Sequence, residues 1–265
     1  MMEFAKTDEE GNVQGNLTEK GDGPVETGIP IGIYDDPKLV RQGLFYLNYQ
    51  RGHHLICGMP RCGKSTLLAT YLDGLLEAKD ADVELYILDY GGGRLSLYAG
   101  CSSVVRYLSE QNSEEAVEVL TDLAAGLMMG ASGRPMRLII IDGLDHLMGT
   151  VGYKLQGPVS ELLQHGNAGI MVLATAGEIS PSGVNRTWLS YMSVSICMKQ
   201  KDVYQYGEIL SVNGWKPEGL RTGQAYGFVG ESVVKVQIVN QKGGEGNDLC
   251  GSVGGGTAGC QFYGE

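Results

Sequence analysis

Residues 53–72 read HHLICGMPRCGKSTLLATYL. Leu55, Ile56 and Cys57 form the apolar end of a buried strand, Gly58 opens a turn, and Gly63-Lys64-Ser65-Thr66 leads into residues with helical spacing. This is the G-x-x-x-x-G-K-[ST] phosphate loop, with a strand before it and a helix after it as the motif requires. A chain running from Gly58 through Met59, Pro60, Arg61 and Cys62 to Gly63, Lys64, Ser65 and Thr66 wraps an anion with backbone N–H groups and a helix N-terminus. In that arrangement Lys64 reaches the β- and γ-phosphates and the Ser65 hydroxyl holds Mg2+. The plain alternative is a glycine-containing turn that only starts a helix.

Working outward, strands and helices alternate. Leu67, Leu68, Tyr71, Leu72, Leu75 and Leu76 make a stripe that suits packing against a sheet. Glu84–Asp89 reads as a buried strand followed by Gly91-Gly92-Gly93, the kind of strand end where α/β sheets place functional loops. Val104–Tyr107 reads as a short strand, and Asn112 or Ser113 caps a helix that carries Glu114 and Glu115 in its first turn. Arg137–Asp142 is a continuous apolar run ending in an acid, the pattern of a central parallel strand. Pro158 fits the first turn of a further helix. Gly169–Thr175 and Ser193–Met198 are two more strands, Lys201–Leu210 reads as a helix, and Gln224–Val229 with Val233–Val239 reads as a closing hairpin. Before the loop, Ile29, Ile31 and Ile33 alternate, Asp35-Asp36-Pro37 makes a turn, and Leu44–Tyr49 reads as a strand. The expected fold is an α/β P-loop NTPase (RecA-like), a mostly parallel sheet with helices on both faces.

The expected organisation is an acidic flexible linker over 1–27, the ATPase-like domain over 28–240 and a Gly-rich flexible tail over 241–265. The net charge is −11, from 31 acidic and 20 basic residues, so the basic excess of a duplex-binding surface is missing and nucleic acid is disfavoured as a partner. No apolar run has the length of a membrane span, so this segment is expected not to insert into a membrane. Of the six cysteines, Cys57, Cys101 and Cys197 read as small buried hydrophobes and Cys62 as an oxidisable thiol inside the loop. Cys250 and Cys260 lack zinc spacing, and a reducing cytosol fits the set.

A nucleoside triphosphatase also needs an acid that organises Mg2+ and a group that handles the attacking water. Asp142 is placed for the first role, against the alternative of an Asp capping its own turn. The next residue, which carries a catalytic Glu in many such enzymes, is Gly143. Asp145 and His146 follow as candidates for that second role, with a surface turn as the alternative.

Six stretches taken together resemble the FtsK/SpoIIIE-type ATPases, most closely the C-terminal (third) ATPase domain of the type VII secretion ATPases EssC and EccC. IPIGIYDDPKLVRQGLFYLNYQRGHHLICG is similar to that family's lead-in to the phosphate loop. ELYILDYGGGRLSLYAG resembles its second strand, RLIIIDGLDHLM its Walker B segment and GIMVLATAGE its sensor strand. KQKDVYQYGEIL and TGQAYGFVGESVVKVQIV resemble its closing helix and hairpin.

Four positions depart from the active pattern: Arg61 for a loop Gly, Gly143 for the Walker B Glu, Ala176 for the sensor Gln of DNA-translocating relatives, and Gln224 for an Arg. The resemblance therefore implies a domain that binds ATP and Mg2+ and hydrolyses poorly on its own. It also implies a place at the cytoplasmic side of a membrane-anchored secretion complex. Its partners there would be the upstream ATPase domains of the same protein and a small helical secreted substrate, with a ring oligomer as one arrangement. Tyr204, Tyr206, Trp215 and Tyr226 are candidates to line a substrate groove, against ordinary core packing. The competing readings are an active DNA translocase of the same superfamily and a scaffold that has lost nucleotide binding.

Overall fold

The apolar runs do become strands, and all of them join one sheet. A computed structural model of the chain describes residues 28–239 apart from 49, 51, 79–81, 128–134, 166–168, 178, 181–183 and 216, so the expected linker and tail lie outside the described residues. The strands are β1 (Ile29–Asp36), β2 (Arg41–Leu47), β3 (His53–Cys57), β4 (Val83–Asp89), β5 (Val104–Ser109), β6 (Met136–Asp142), β7 (Ile170–Ala176), β8 (Met192–Met198), β9 (Gln224–Val229) and β10 (Ser232–Ile238). The helices are α1 (Lys64–Glu77), α2 (Ser113–Gly126), α3 (Leu144–Val151), α4 (Gln156–His165), α5 (Arg186–Leu189) and α6 (Tyr204–Ile209).

The strand order is β2-β1-β10-β9-β8-β3-β7-β6-β4-β5. From β8 to β5 every pairing is parallel, and from β8 to β2 every pairing is antiparallel. The C-terminal ends of β3, β7, β6 and β4 therefore share one edge, where an α/β sheet gathers its functional loops. β7 separates β3 from β6, with Ile56 beside Thr175 and Ile141 beside Ala174.

Both faces of the parallel half are covered, which is why its strands read as unbroken apolar runs. Along β6, Leu138 and Ile140 join the core built on α1, with Leu67, Leu68, Tyr71, Leu72 and Leu75. The alternate residues Ile139 and Ile141 join the core on the other face, with Leu120 of α2, Leu147 of α3, Leu162 of α4 and Trp188 of α5. The pleat of a strand sends neighbouring side chains to opposite faces, and here each face has its own helices.

Several boundaries differ from the sequence reading. The hairpin β9–β10 does not close the sheet: β10 pairs with β1, and β2 is the outer strand on that side. β2 starts at Arg41 because it pairs back along the whole of β1, down to Asp36–Arg41. α6 begins at Tyr204, after an Asp202 carboxylate that accepts the Tyr204 N–H. Asn112 precedes α2, but its side chain turns back to Ser109 rather than capping the helix.

His53 and His54 are buried polar residues of β3. The Val172 N–H donates to His53 Nδ1 at 2.9 Å, which needs a neutral ring. Burial, then the neighbouring His54, lowers the His53 pKa to about 4, and burial also lowers that of His54. The unfolded chain takes up protons near pH 6.5, before the folded chain does. The stabilising difference is thus complete above pH 6.5 and is lost as pH falls from there towards 4. His53 alone should lower stability by about 1.4 kcal/mol per pH unit within that window. Urea midpoints at pH 7 and pH 5 check this: the midpoint should fall, and His53→Asn, which keeps an acceptor for Val172 but does not titrate, should reduce the fall.

Candidate functional site

The phosphate loop leaves β3 at Gly58 and is tied down from three sides. The Gly58 N–H donates to the Ala176 carbonyl at 3.0 Å, and the Met59 N–H to the Lys199 carbonyl at 2.8 Å. At the far end the Gly223 N–H donates to the Cys62 carbonyl at 3.1 Å. Between these anchors, among the described residues, the amides of Arg61, Cys62 and Gly63 donate to no backbone carbonyl. Lys64 folds back over the loop and donates to the Gly58 carbonyl at 2.6 Å and the Met59 carbonyl at 3.2 Å. An ammonium has three N–H donors, so one is left for an anion lying over the loop. Ser65 and Thr66 are half-buried in the first turn of α1, which holds no acidic residue to offset the helix N-terminus.

Arg61 and Gly63 both have left-handed backbones, φ 63° and 110°. A glycine at 61 would adopt this freely, whereas an L-residue pays about 1–2 kcal/mol. The Arg61 side chain is exposed. Cys62 does not behave as the sequence suggested. It is only 2% exposed, its Sγ lies 3.9 Å from Met198 Sδ, and burial pushes its thiol pKa up. A protonated, covered thiol is a poor target for oxidation.

Asp142 ends β6 on the same edge. Thr175 of β7 ties it in place: its hydroxyl donates to Asp142 Oδ1 at 2.7 Å and accepts the Gly143 N–H at 2.8 Å. The other carboxylate oxygen, Oδ2, is buried with no hydrogen-bond partner. An orphaned buried carboxylate oxygen is the kind of atom that a cation satisfies, so the residues present fit a Mg2+ ligand here. Gly91 makes room for it, since a Cβ there would overlap the Asp142 carboxylate. Gly91→Ala should therefore lower stability by about 1–3 kcal/mol, checked by urea unfolding.

Position 143 cannot be read as a simple loss of a side chain. Its φ is 84°, and a Cβ would sit 3.0 Å from the Tyr90 carbonyl oxygen. Asp145 and His146 lie in the first turn of α3, not in a loose surface turn, and they diverge. Asp145 Oδ2 accepts the Gly177 N–H at 2.8 Å, beside the loop. His146 Nδ1 faces the Tyr90 carbonyl at 2.9 Å and Glu110 at 3.4 Å, on the β4–β5 side. Ala176 contributes its carbonyl and Gln224 caps the Arg221 N–H, 3.0 Å away. Asp89, which ends β4, is fully engaged by the Gly93 and Leu95 N–H groups and the Tyr107 hydroxyl. Thr175 and Gly91 were not singled out from sequence; a hydroxyl ending a buried strand and the first residue of a glycine run were the available signals.

The four candidate aromatics are not all at a groove, and Trp215 packs edge to face on Tyr226 at 4.8 Å between centroids. Tyr206 and Tyr226 are buried and meet edge to face at 5.7 Å between centroids. Tyr204 and Trp215 line a surface groove of about 600 Å³ with Arg186, Leu189, Gly207 and Glu208. An Arg186–Glu208 ion pair of 2.7 Å lies at this groove.

The sheet is mostly parallel, as expected, and the phosphate-loop strand lies one strand away from the acid-bearing strand. The sequence model of the FtsK/SpoIIIE family matches residues 13–132. The ESX-4 secretion system protein EccC4 of Mycobacterium tuberculosis (strain ATCC 25618 / H37Rv) is 40% identical over 74 residues, 27% of this chain and 6% of that protein. The matched stretch is thus a small part of that relative. EssC (ATPases 2 and 3) from Geobacillus thermodenitrificans superposes with a TM-score of 0.64 at 20% identity, over 83% of this chain and 46% of that one. Thermomonospora curvata EccC (ATPases 2 and 3), in complex with a signal sequence peptide, gives 0.66 at 18%, over 86% and 46%. The pCW3 conjugation coupling protein TcpA, in a monomer form with the ATP analogue ATPγS, gives 0.62 at 18%, over 82% and 67%. The resemblance to EssC and EccC and the P-loop NTPase fold are both borne out.

Proposed function

We propose that this chain is an ATP-binding domain of a type VII secretion motor that regulates the motor or reads its substrates, and that it hydrolyses ATP poorly. The observation that carries the reading is a pairing within one site. The phosphate loop is pinned with Lys64 over it, while Gly143, where a water-activating Glu would stand, has a left-handed backbone with a carbonyl against its Cβ direction. Lys64 and the loop amides grip the phosphates, and Ser65 with Asp142 hold Mg2+. When bound, Mg2+ neutralises phosphate charge. The two candidate bases are turned to other partners: Asp145 Oδ2 accepts from Gly177, and His146 Nδ1 faces Tyr90 and Glu110. Absence of a general base typically lowers turnover about 10²–10⁴-fold.

The groove at Tyr204 and Trp215 is the surface we assign to a substrate segment. A related EccC was solved with a signal sequence peptide, and the aromatic lining with a charged pair suits an amphipathic segment. The upstream ATPase domains of the same secretion protein are the other partners, at the cytoplasmic side of the membrane complex. Calorimetry with ATP·Mg2+ beside steady-state turnover tests the proposal: binding with turnover near background is expected. Brisk turnover by this chain, or turnover stimulated by DNA, would sink it.

A further inference from the structure

Two successive residues at the mouth of the phosphate loop are each held through one peptide plane, and a side chain grips the far end of each plane. The Ala176 carbonyl takes the Gly58 N–H, and the N–H of that same peptide, on Gly177, donates to Asp145 Oδ2 at 2.8 Å. The Lys199 carbonyl takes the Met59 N–H, and the N–H of that peptide, on Gln200, donates to the Tyr206 hydroxyl at 3.0 Å. A peptide is planar, with its N–H and C=O pointing opposite ways, so fixing one end aims the other. Bonds in series also polarise one another.

Both grips are close. A Cβ on Gly177 would lie 2.8 Å from Asp145 Oδ2, and Tyr206 is 1% exposed, wedged edge-on against Tyr226. The two residues pinned by their N–H groups, Gly58 and Met59, are the two whose carbonyls receive the Lys64 ammonium. The chain of contacts runs from Asp145 and from Tyr206 to a single cation.

We infer that Asp145 and Tyr206 are positioning residues for the Lys64 ammonium, acting through the Ala176–Gly177 and Lys199–Gln200 peptides. This rests on the proposed ATP site and adds its regulation. Tyr206 sits on α6, whose Tyr204 and Gly207 line the groove, so movement of that helix reaches the loop through one hydroxyl.

The test uses the whole chain with Asp145→Ala, Asp145→Asn and Tyr206→Phe. Asn keeps an acceptor for Gly177, and Phe keeps the ring against Tyr226. Calorimetry should show ATP·Mg2+ binding about tenfold weaker for Asp145→Ala and for Tyr206→Phe, with Asp145→Asn close to wild type. Nitrogen-15 spectra of the lysine ammonium groups, with Lys64 assigned by its loss in Lys64→Arg, read the same geometry with no nucleotide present. The wild type should show a Lys64 ammonium protected from exchange, and Asp145→Ala and Tyr206→Phe should lose that protection. An unchanged ammonium signal in both variants overturns the inference, as does an Asp145→Asn that behaves like Asp145→Ala. A wild type that binds no ATP overturns the proposed function alone, because the ammonium spectra still decide this inference.

Discussion

Lys64→Ala should weaken ATP·Mg2+ binding by about 10- to 100-fold while leaving the unliganded fold intact. A hydrogen bond between a charged donor and a phosphate contributes about 1.5–3 kcal/mol, and the ammonium has one N–H left for it, so the loss spans about one to two powers of ten. The fold should tolerate the change for local reasons. Lys64 is the half-buried first residue of α1, and alanine is the better helix former there. The carbonyls of Gly58 and Met59 would lose their Lys64 donor, yet their N–H groups would still hold the loop to Ala176 and Lys199. Calorimetry gives the affinity, and thermal unfolding without nucleotide gives the control. An affinity within threefold of wild type would mean that the loop does not grip phosphate, and the scaffold reading would take its place.

What could be read from the residues depended on how local the cause was. The phosphate loop was legible because its geometry is encoded in nine consecutive residues, and Arg137–Asp142 because a strand buried on both faces is apolar throughout. The place of β9–β10 was not legible. It is set by pairing of β10 with β1, some 200 residues earlier in the chain, and no local pattern records that. For Asp145 and His146 a surface turn is the alternative reading. Gly143 instead starts α3 from a left-handed position, and the helix then sends the two side chains to different neighbours. The role of Thr175 escaped for the same reason as that of Tyr206. Each acts by one hydroxyl on a group that is distant in sequence.

These contacts also separate two kinds of departure from an active site. Arg61 is a substitution that the backbone absorbed: the loop keeps a left-handed residue there and its side chain leaves the site. Gly143 is the opposite case, since the surroundings have closed around the missing side chain. The Gly143 N–H is taken by Thr175, whose hydroxyl also fixes Asp142, and the Tyr90 carbonyl stands against its Cβ direction. The first departure is compatible with binding. The second leaves no room for a side chain at position 143 without a shift of its neighbours.

Gly143→Glu should accordingly fail to restore hydrolysis and should destabilise the fold. The left-handed backbone charges an L-residue about 1–2 kcal/mol, and relief of the 3.0 Å contact with the Tyr90 carbonyl adds to it, for a loss of about 1–3 kcal/mol in total. Relief by backbone rotation at 143 would turn its N–H away from Thr175 and loosen the bond that orients Asp142. A Glu placed there thus arrives with the metal-side acid displaced, and turnover should stay within about tenfold of background rather than rise by the 10²–10⁴ that a positioned base contributes. Gly143→Ala separates the two effects, because it carries the same backbone strain without a carboxylate. Urea unfolding should give the two variants similar losses, and single-turnover hydrolysis should find both inactive. A 100-fold gain in Gly143→Glu over Gly143→Ala would show instead that the site lacks a base and nothing else, and that poor hydrolysis in this chain is one residue deep.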